Sequence, residues 1–402
     1  MDDLYAAEDP IHGPEVPRRF SHSTLIELER CPRRWWLEQA TYKTGRGYPS
    51  IATPAALRGT VIHIALERFA AHLRTAGFPP LGTNGFEIAR ASFDVRAVVR
   101  AARDEVLSHS ARRGPPVLAD QVPLDVCVAG FKRLQSHAYA ISLDNHTQPP
   151  QLAISGASPT VLSASPQLIP MLPEVRIELD DPPLVAVIDQ VRTQADADQL
   201  IDFKSGVPKP EHEIQLRLYA AMWIKTRNRP VSARTVVYAD APSNEYGPMT
   251  QPESAEVLDA AARQVADVRV SLDGQPPVAR PHDENCAHCP VRQLCPEYWT
   301  AENTRDLRWQ PGDIDARERA DGWKDLELHM NRAIVTPNGF SIPLPDKGML
   351  FCALPARFRP TTITPFSSVR LLSVALRRQL PSVDIVMSAS SEAFWLGKLD
   401  RR

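Results

Sequence analysis

The 402-residue sequence has no run of about 18 apolar residues and no charged-then-apolar leader, so it offers neither a membrane span nor a secretory signal and reads as cytosolic. It also has almost no net charge. A value of −2, from 46 Lys plus Arg against 48 Asp plus Glu, excludes a uniformly basic coat and leaves room only for a local basic groove. No G-x-x-x-x-G-K-[ST] loop is present, so a nucleotide-driven motor would have to be a separate polypeptide. There is no internal repeat. Six cysteines in so long a cytosolic chain do not make a disulfide framework. Proline is the residue in excess, 38 in all against a usual share of about 5%, and it calls for many rigid loops. Hydrophobic residues at 43% and charged residues at 23% are ordinary for a globular chain, and the length suits two or three domains.

Along the chain, residues 1–17 carry five acids and three prolines and read as a mobile leader. From 16 to 76 the balance reverses, with ten Lys plus Arg against four Glu, a stretch that can face a polyanion. Ser21, Ser23 and Thr24 offer N-caps, and Thr24-x-x-Glu27 fits a capping box, ahead of a helix that Cys31-Pro32 interrupts. Pro32 can open the next helix at its first position. A further helix is expected over 58–74, and more across 86–143, broken at Gly114-Pro115-Pro116. Residues 148–170 are rich in Ser, Pro and Ala and read as a loop or insertion. The period then changes. EVRIEL (174–179), LVAVIDQVR (184–192) and QLIDFKS (199–205), separated by turn residues, predict a three-stranded antiparallel meander. A helix over 211–226, a strand over 234–239 and a helix over 253–269 follow, an α/β pattern. Beyond Pro296 no motif stands out, and 301–402 read as an extension ending in a basic segment.

Asp202 and Lys204 lie two apart on one predicted strand and share a face, while Ile201 and Phe203 take the other. Asp189, on the preceding strand, can meet Asp202 by cross-strand pairing. Two close carboxylates repel unless a cation joins them, and hard oxygen ligands suit Mg²⁺ or Mn²⁺. Lys204 beside them can orient a water or stabilise charge on a phosphate. An exposed hairpin with ordinary surface charges fits the same spacing. Cys286-x-x-Cys289-x5-Cys295 is a second signal, since three cysteines within ten residues have metal-ligand spacing.

VAVIDQV, LIDFKSG and QLRLYAAMW together resemble the RecB-like, AddB-type nuclease domain of the PD-(D/E)XK superfamily, with its GxID strand, D-x-K strand and QxxxY helix. The resemblance implies an α/β restriction-endonuclease-like core over 18–300, a mixed central sheet flanked by helices behind a helical N-terminal part. It makes Asp189 and Asp202 the metal carboxylates, Lys204 the catalytic lysine, and Gln215 and Tyr219 the pair beside the active site. RGTVIHIALERF (58–69) resembles the family's GxxxH helix and makes His63 a further ligand, with the carbonyl of Phe203, for one or two Mg²⁺ or Mn²⁺ ions. Ala186 stands where the family often has glycine.

FSHSTLIELERCPRRWW (20–36) and CAHCPVRQLCP (286–296) resemble the segments that hold a [4Fe–4S] cluster in such nucleases, which implies Cys31, Cys286, Cys289 and Cys295 as its ligands. A four-thiolate zinc site is the competing expectation. Cys127 and Cys352 read as buried thiols. The implied activity is DNA phosphodiester hydrolysis, on single strands or free ends, with Arg33, Arg34, Trp35 and Trp36 able to grip single-stranded DNA; a tryptophan-packed helix suits these four equally. Two further readings stay open: a catalytically silent DNA-binding subunit of a helicase complex, and a zinc-stapled interaction protein.

Overall fold

The computed structural model describes residues 9–398 apart from 44, 52, 78, 80–82, 109–111, 114–116, 145–170, 194–195, 311–321, 345–347, 360–365 and 380–381. The expected 148–170 insertion and the break at 114–116 lie outside the described residues.

Two short helices open the fold, α1 (His22–Arg30) and α2 (Pro32–Gln39). The cap of α1 is Ser21, whose hydroxyl accepts from the Thr24 backbone N–H at 3.2 Å; the capping box expected from Thr24 therefore starts one turn too late. Part of the expected mobile leader is tied down. Ile11 N donates to Thr41 O at 2.8 Å, and Thr41 N returns a bond to His12 O at 2.8 Å, so main-chain pairing orders this polar stretch where side-chain periodicity gave no sign of it. α3 (Pro54–Thr75), α4 (Asn84–Ser92), α5 (Val95–Ser108) and α6 (Leu124–Asp144) form a helical layer with its own core, in which Val61, Phe69, Val99 and Phe131 are fully or almost fully buried.

The central sheet has five strands in sequential order: β1 (Met171–Asp180), β2 (Pro183–Thr193), β3 (Asp198–Lys204), β4 (Val231–Tyr238) and β5 (Asn244–Tyr246). β1, β2 and β3 form the antiparallel meander, and β3 pairs parallel with β4, so the sheet is mixed. Parallel neighbours need a crossover, and α7 (Pro210–Arg227) supplies it. α7 ends at Asn228, in the left-handed region at φ 50°, a conformation that asparagine tolerates better than most residues. α8 (Gln251–Ser271), capped by a Thr250–Glu253 capping box, packs on α7, and their shared core with the sheet includes Leu200, Leu216, Met222 and Val265. The other side of β3 sends Ile201 and Phe203 against Ile62 of α3 and Leu134 of α6. Helices thus cover β3 from both sides, so its residues from Asp198 to Phe203 are all buried.

Beyond residue 300 the sequence offered no motif, yet the chain builds a second sheet: β6 (Lys324–His329), β7 (Ile334–Thr336), β8 (Gly339–Pro343), β9 (Met349–Ala353), β10 (Phe366–Gln379) and β11 (Ser382–Lys398), in the order β6-β10-β11-β9-β8-β7. This sheet docks on the cysteine segment through Asp325. The carboxylate accepts from Arg292 Nε at 2.6 Å, from the Tyr298 hydroxyl at 2.8 Å and from Ser373 N at 2.8 Å. Arg370 donates to Gln293 O and lies over the Trp299 ring at 4.9 Å. Leu372 and Phe394 from the sheet join Cys286, Cys289 and Cys295 in one apolar cluster. Among the described residues no helix is long and apolar enough to cross a membrane.

Removing one partner of a buried ion pair strands the other charge, at a cost of about 3–5 kcal/mol. Asp325→Ala is therefore expected to lower the unfolding free energy by about that much in a denaturant titration. A change below about 1 kcal/mol would mean that water reaches Arg292.

Candidate functional site

The register of β2 against β3 sets the site. Gln190 pairs with Ile201 and Val191 with Leu200, so one step further along the ladder Asp189 stands across from Asp202. There the ladder gives way to a side chain: the Phe203 backbone N–H donates to Asp189 Oδ2 at 2.6 Å. Asp202 is 3% exposed, and its Oδ2 lies 2.8 Å from Lys204 Nζ as an ion pair without the angle of a good hydrogen bond.

A cleft of about 360 Å³ opens at this end of β3. It is lined by His63, Asp189, Asp202, Phe203, Lys204 and Gln215, which come from one helix of the N-terminal layer, two strands and α7. Gly59 explains how α3 comes close enough to contribute. A Cβ there would lie 2.5 Å from Ser205 Oγ and 3.3 Å from Ser205 Cβ, so glycine lets the helix meet the loop after Lys204 at this distance without displacing the Ser205 side chain. His63 follows one turn later on the same helix.

Tyr219 does not line the cleft. It is 6% exposed and sits behind Gln215, whose Nε2 donates to its hydroxyl at 2.7 Å. Burial first, then the charges of Asp202 and Asp189, push its pKa up to about 12, so the phenol stays protonated and holds the Gln215 side chain in place. Sequence reasoning missed two histidines. His212 lines the cleft with Lys209, and His22 is buried close enough for Lys204 to act on it; burial, followed by the Lys204 charge, lowers the pKa of both. For His212 a signal was present, since it is three residues before Gln215 and so on the same helical face.

Cys31, Cys286, Cys289 and Cys295 line a second, smaller cavity. All four are buried and none is in a disulfide. Cys31 closes α1, and its Sγ accepts from Arg280 N at 3.5 Å. Burial pushes the Cys289 and Cys295 thiols up to about 12, and Cys286 is raised for the same reason. Among the described residues no three His, Cys, Asp or Glu side chains are already arranged to hold a metal ion. Polar bonds join the two cysteine segments instead: Arg33 Nε donates to Pro277 O at 2.6 Å and its guanidinium pairs with Glu297 at 3.0 Å, while Asn285 Nδ2 donates to Arg30 O at 3.2 Å.

Arg33, Arg34, Trp35 and Trp36 do not line the carboxylate cleft. Arg34 pairs with Glu38 at 2.8 Å, Trp35 is 6% exposed, and Trp36 Nε1 donates to Gln275 Oε1 at 3.2 Å, so all four make contacts within the protein. Cys127 and Cys352 are buried in separate cores, one in the helical layer and one in the second sheet.

Residues 19–296 match the PD-(D/E)XK nuclease superfamily, and the chain belongs to it. The match spans the N-terminal helices, the mixed sheet and the cysteine segment, and stops before the second sheet. No curated protein matches the chain. A solved structure described as "Crystal structure of SSO0001" is 12% identical, with 68% of this chain and 96% of that one covered, at a TM-score of 0.23.

Two outcomes follow from this geometry. Gly59→Ala is expected to forgo the usual helix gain of about 0.5–1 kcal/mol because its methyl meets Ser205, and Ser205→Ala in the same chain should restore that gain. Additive effects in this double-mutant cycle would refute the contact. Folding favours protonated Cys289 and Cys295, so their contribution is complete below about pH 9 and is lost as pH rises toward 12. The denaturation midpoint of the metal-free chain should fall over that window, and fall less in Cys289→Ala and Cys295→Ala; identical profiles would show the thiols are not responsible.

Proposed function

We propose that the chain is a Mg²⁺- or Mn²⁺-dependent deoxyribonuclease that hydrolyses phosphodiester bonds in DNA, on single strands or at free ends. The observation that carries this reading is the convergence of Asp189, Asp202, Lys204 and His63 in one cleft. The residues fit a hard divalent cation. Asp202 Oδ2 is a buried carboxylate oxygen with no hydrogen bond, beside a second carboxylate, and such a pair is costly to keep together without a cation. His63, Asp189, Asp202 and the Phe203 carbonyl would hold the ion. When bound, it acidifies a water and offsets charge on the phosphate.

The remaining work falls to the chain. The Phe203 N–H bond orients Asp189. Lys204 Nζ, held beside Asp202, is placed to orient the attacking water and to meet negative charge developing on the phosphoryl oxygens. Gln215, fixed by Tyr219, positions the substrate from α7. The four buried thiols around one cavity support a [4Fe–4S] cluster, with four-thiolate zinc as the alternative. Cys31 and the 286–295 segment lie at opposite ends of the matched region, so either group would staple those ends together.

With end-labelled single- and double-stranded DNA and Mn²⁺, wild-type protein is expected to cut, and Asp202→Ala and Asp189→Ala to lose at least a hundredfold in rate. Chelation should abolish cutting. Equal, intact substrate in every arm would sink the proposal and favour a silent DNA-binding subunit. Colour checks the cysteine centre: anaerobically purified protein should be brown with an iron–sulfur absorption band, whereas a zinc protein is colourless.

A further inference from the structure

The polar lining of the cleft extends beyond the carboxylates and Lys204 to the first turn of α7, where Lys209 is the N-cap and His212 the third helical residue. Three facts about His212 define what it can do. Its Nδ1 lies 3.1 Å from the hydroxyl of Tyr238, with the two rings tilted at 39° and 5.6 Å between centroids. Tyr238 is fully buried on β4, where it pairs with Lys204 across the ladder, so the phenol is anchored by the strand that carries the catalytic lysine's neighbour. The Tyr238 hydroxyl oxygen already accepts from the Lys209 backbone N–H, so the phenol's own proton is assigned to His212 Nδ1.

A phenol donating to Nδ1 leaves the neutral ring's own proton on Nε2, at the opposite edge. His212 is only half-buried and lines the cleft, so that edge is the part left for a ligand. A protonated Nε2 cannot ligate a metal and can only donate. This separates His212 from His63, the imidazole that reaches the cleft from α3. Gln215 follows at i+3 on the same face of α7, and Lys209 adds a cation at the helix's positive end. A donor, a cation and a helix N-terminus grouped at the rim of a carboxylate cleft suit one ligand chemistry, a phosphodiester oxygen.

We propose that His212 is a substrate-binding residue of this cleft, its Nε2–H donating to a non-bridging oxygen of the DNA phosphodiester, with Tyr238 as the positioning residue that holds the required tautomer. The inference rests on the nuclease reading and adds a residue to it. Burial, and after it the Lys204 ammonium, lowers the imidazole pKa, which is consistent with the neutral ring.

The test measures binding of a fluorescent single-stranded oligonucleotide by anisotropy with Ca²⁺ as the metal, alongside kcat/KM with Mn²⁺. His212→Ala and His212→Asn should each weaken the Kd about tenfold, the scale of one hydrogen bond to a charged group. His212→Gln, whose amide reaches the Nε2 position, should return it to within about threefold of wild type. Tyr238→Phe should weaken it about threefold, with the thermal midpoint of His212→Gln unchanged as a control on folding. Wild-type affinity in His212→Ala and His212→Asn, with cutting intact, overturns the assignment alone. A loss that His212→Gln does not repair also overturns it, because the ring would then act by packing. If the wild-type chain neither binds nor cuts, the nuclease reading falls and this one with it.

Discussion

The carboxylate of Asp189, caught by the backbone N–H of Phe203, is the contact on which the arrangement of the cleft turns. It sits where the β2–β3 ladder would otherwise continue, so one interaction ends regular pairing, turns a side chain toward its neighbour and leaves Asp189 across from Asp202. Like charges held at that separation are stable only with compensation. Lys204 provides part of it at 2.8 Å, and a divalent cation would provide the rest. A single-residue slip in the β2–β3 register would send the Asp202 and Lys204 side chains to the opposite face and turn the Phe203 ring onto theirs. That slip is resisted from behind, where Ile201 and Phe203 are locked against Ile62 and Leu134.

The site is therefore a product of layers rather than of the meander alone. Two strands deliver the carboxylates and the lysine, the α7 crossover delivers Gln215 and His212, and α3 delivers His63 by virtue of a glycine that lets it approach Ser205. Polar side chains behind the lining hold it in shape: Tyr219 behind Gln215, Tyr238 behind His212. In both pairs a buried phenol, held protonated by burial, bonds to a flexible or rotatable polar group. The second sheet attaches elsewhere. Its Asp325 receives Arg292 and Tyr298 from either side of Cys295, so the segment that closes the cysteine cavity is braced from outside the matched nuclease region.

Much of the fold could be read from periodicity. The alternating 174–179, the β-branched apolar 184–192, the 199–205 segment and the helix over 211–226 all correspond to observed elements, with ends shifted by a few residues, because each is a distinct run bounded by turn or helix-start residues. Of the three hydroxyl residues that offered a cap for α1, Ser21 is the one used and the expected Thr24–Glu27 capping box is not what opens the helix, since adjacent hydroxyl residues offer the same bond and only tertiary packing chooses among them. The second sheet was not legible at all. β10 and β11 pair over long stretches with a register shift near Ser373, and their burial depends on strands far away in sequence. Arg33, Arg34, Trp35 and Trp36 illustrate the same limit, for sequence shows charge and aromaticity but not that Glu297, Glu38 and Gln275 will engage them.

By itself the sequence determined the local chemistry: two acids and a lysine on adjacent strands, a glutamine and tyrosine one helical turn apart, and cysteines at both ends of one region. Those features follow from spacing along the chain, which local backbone geometry converts directly into shared faces. Tertiary structure alone decided which distant groups meet. It brought His63 to Asp189, set Tyr238 behind His212, gathered four thiols around one cavity and fastened the second sheet to the cysteine segment. Each of those contacts depends on how helices and sheets pack, and packing is a property of the whole set of buried surfaces that no single stretch of sequence encodes.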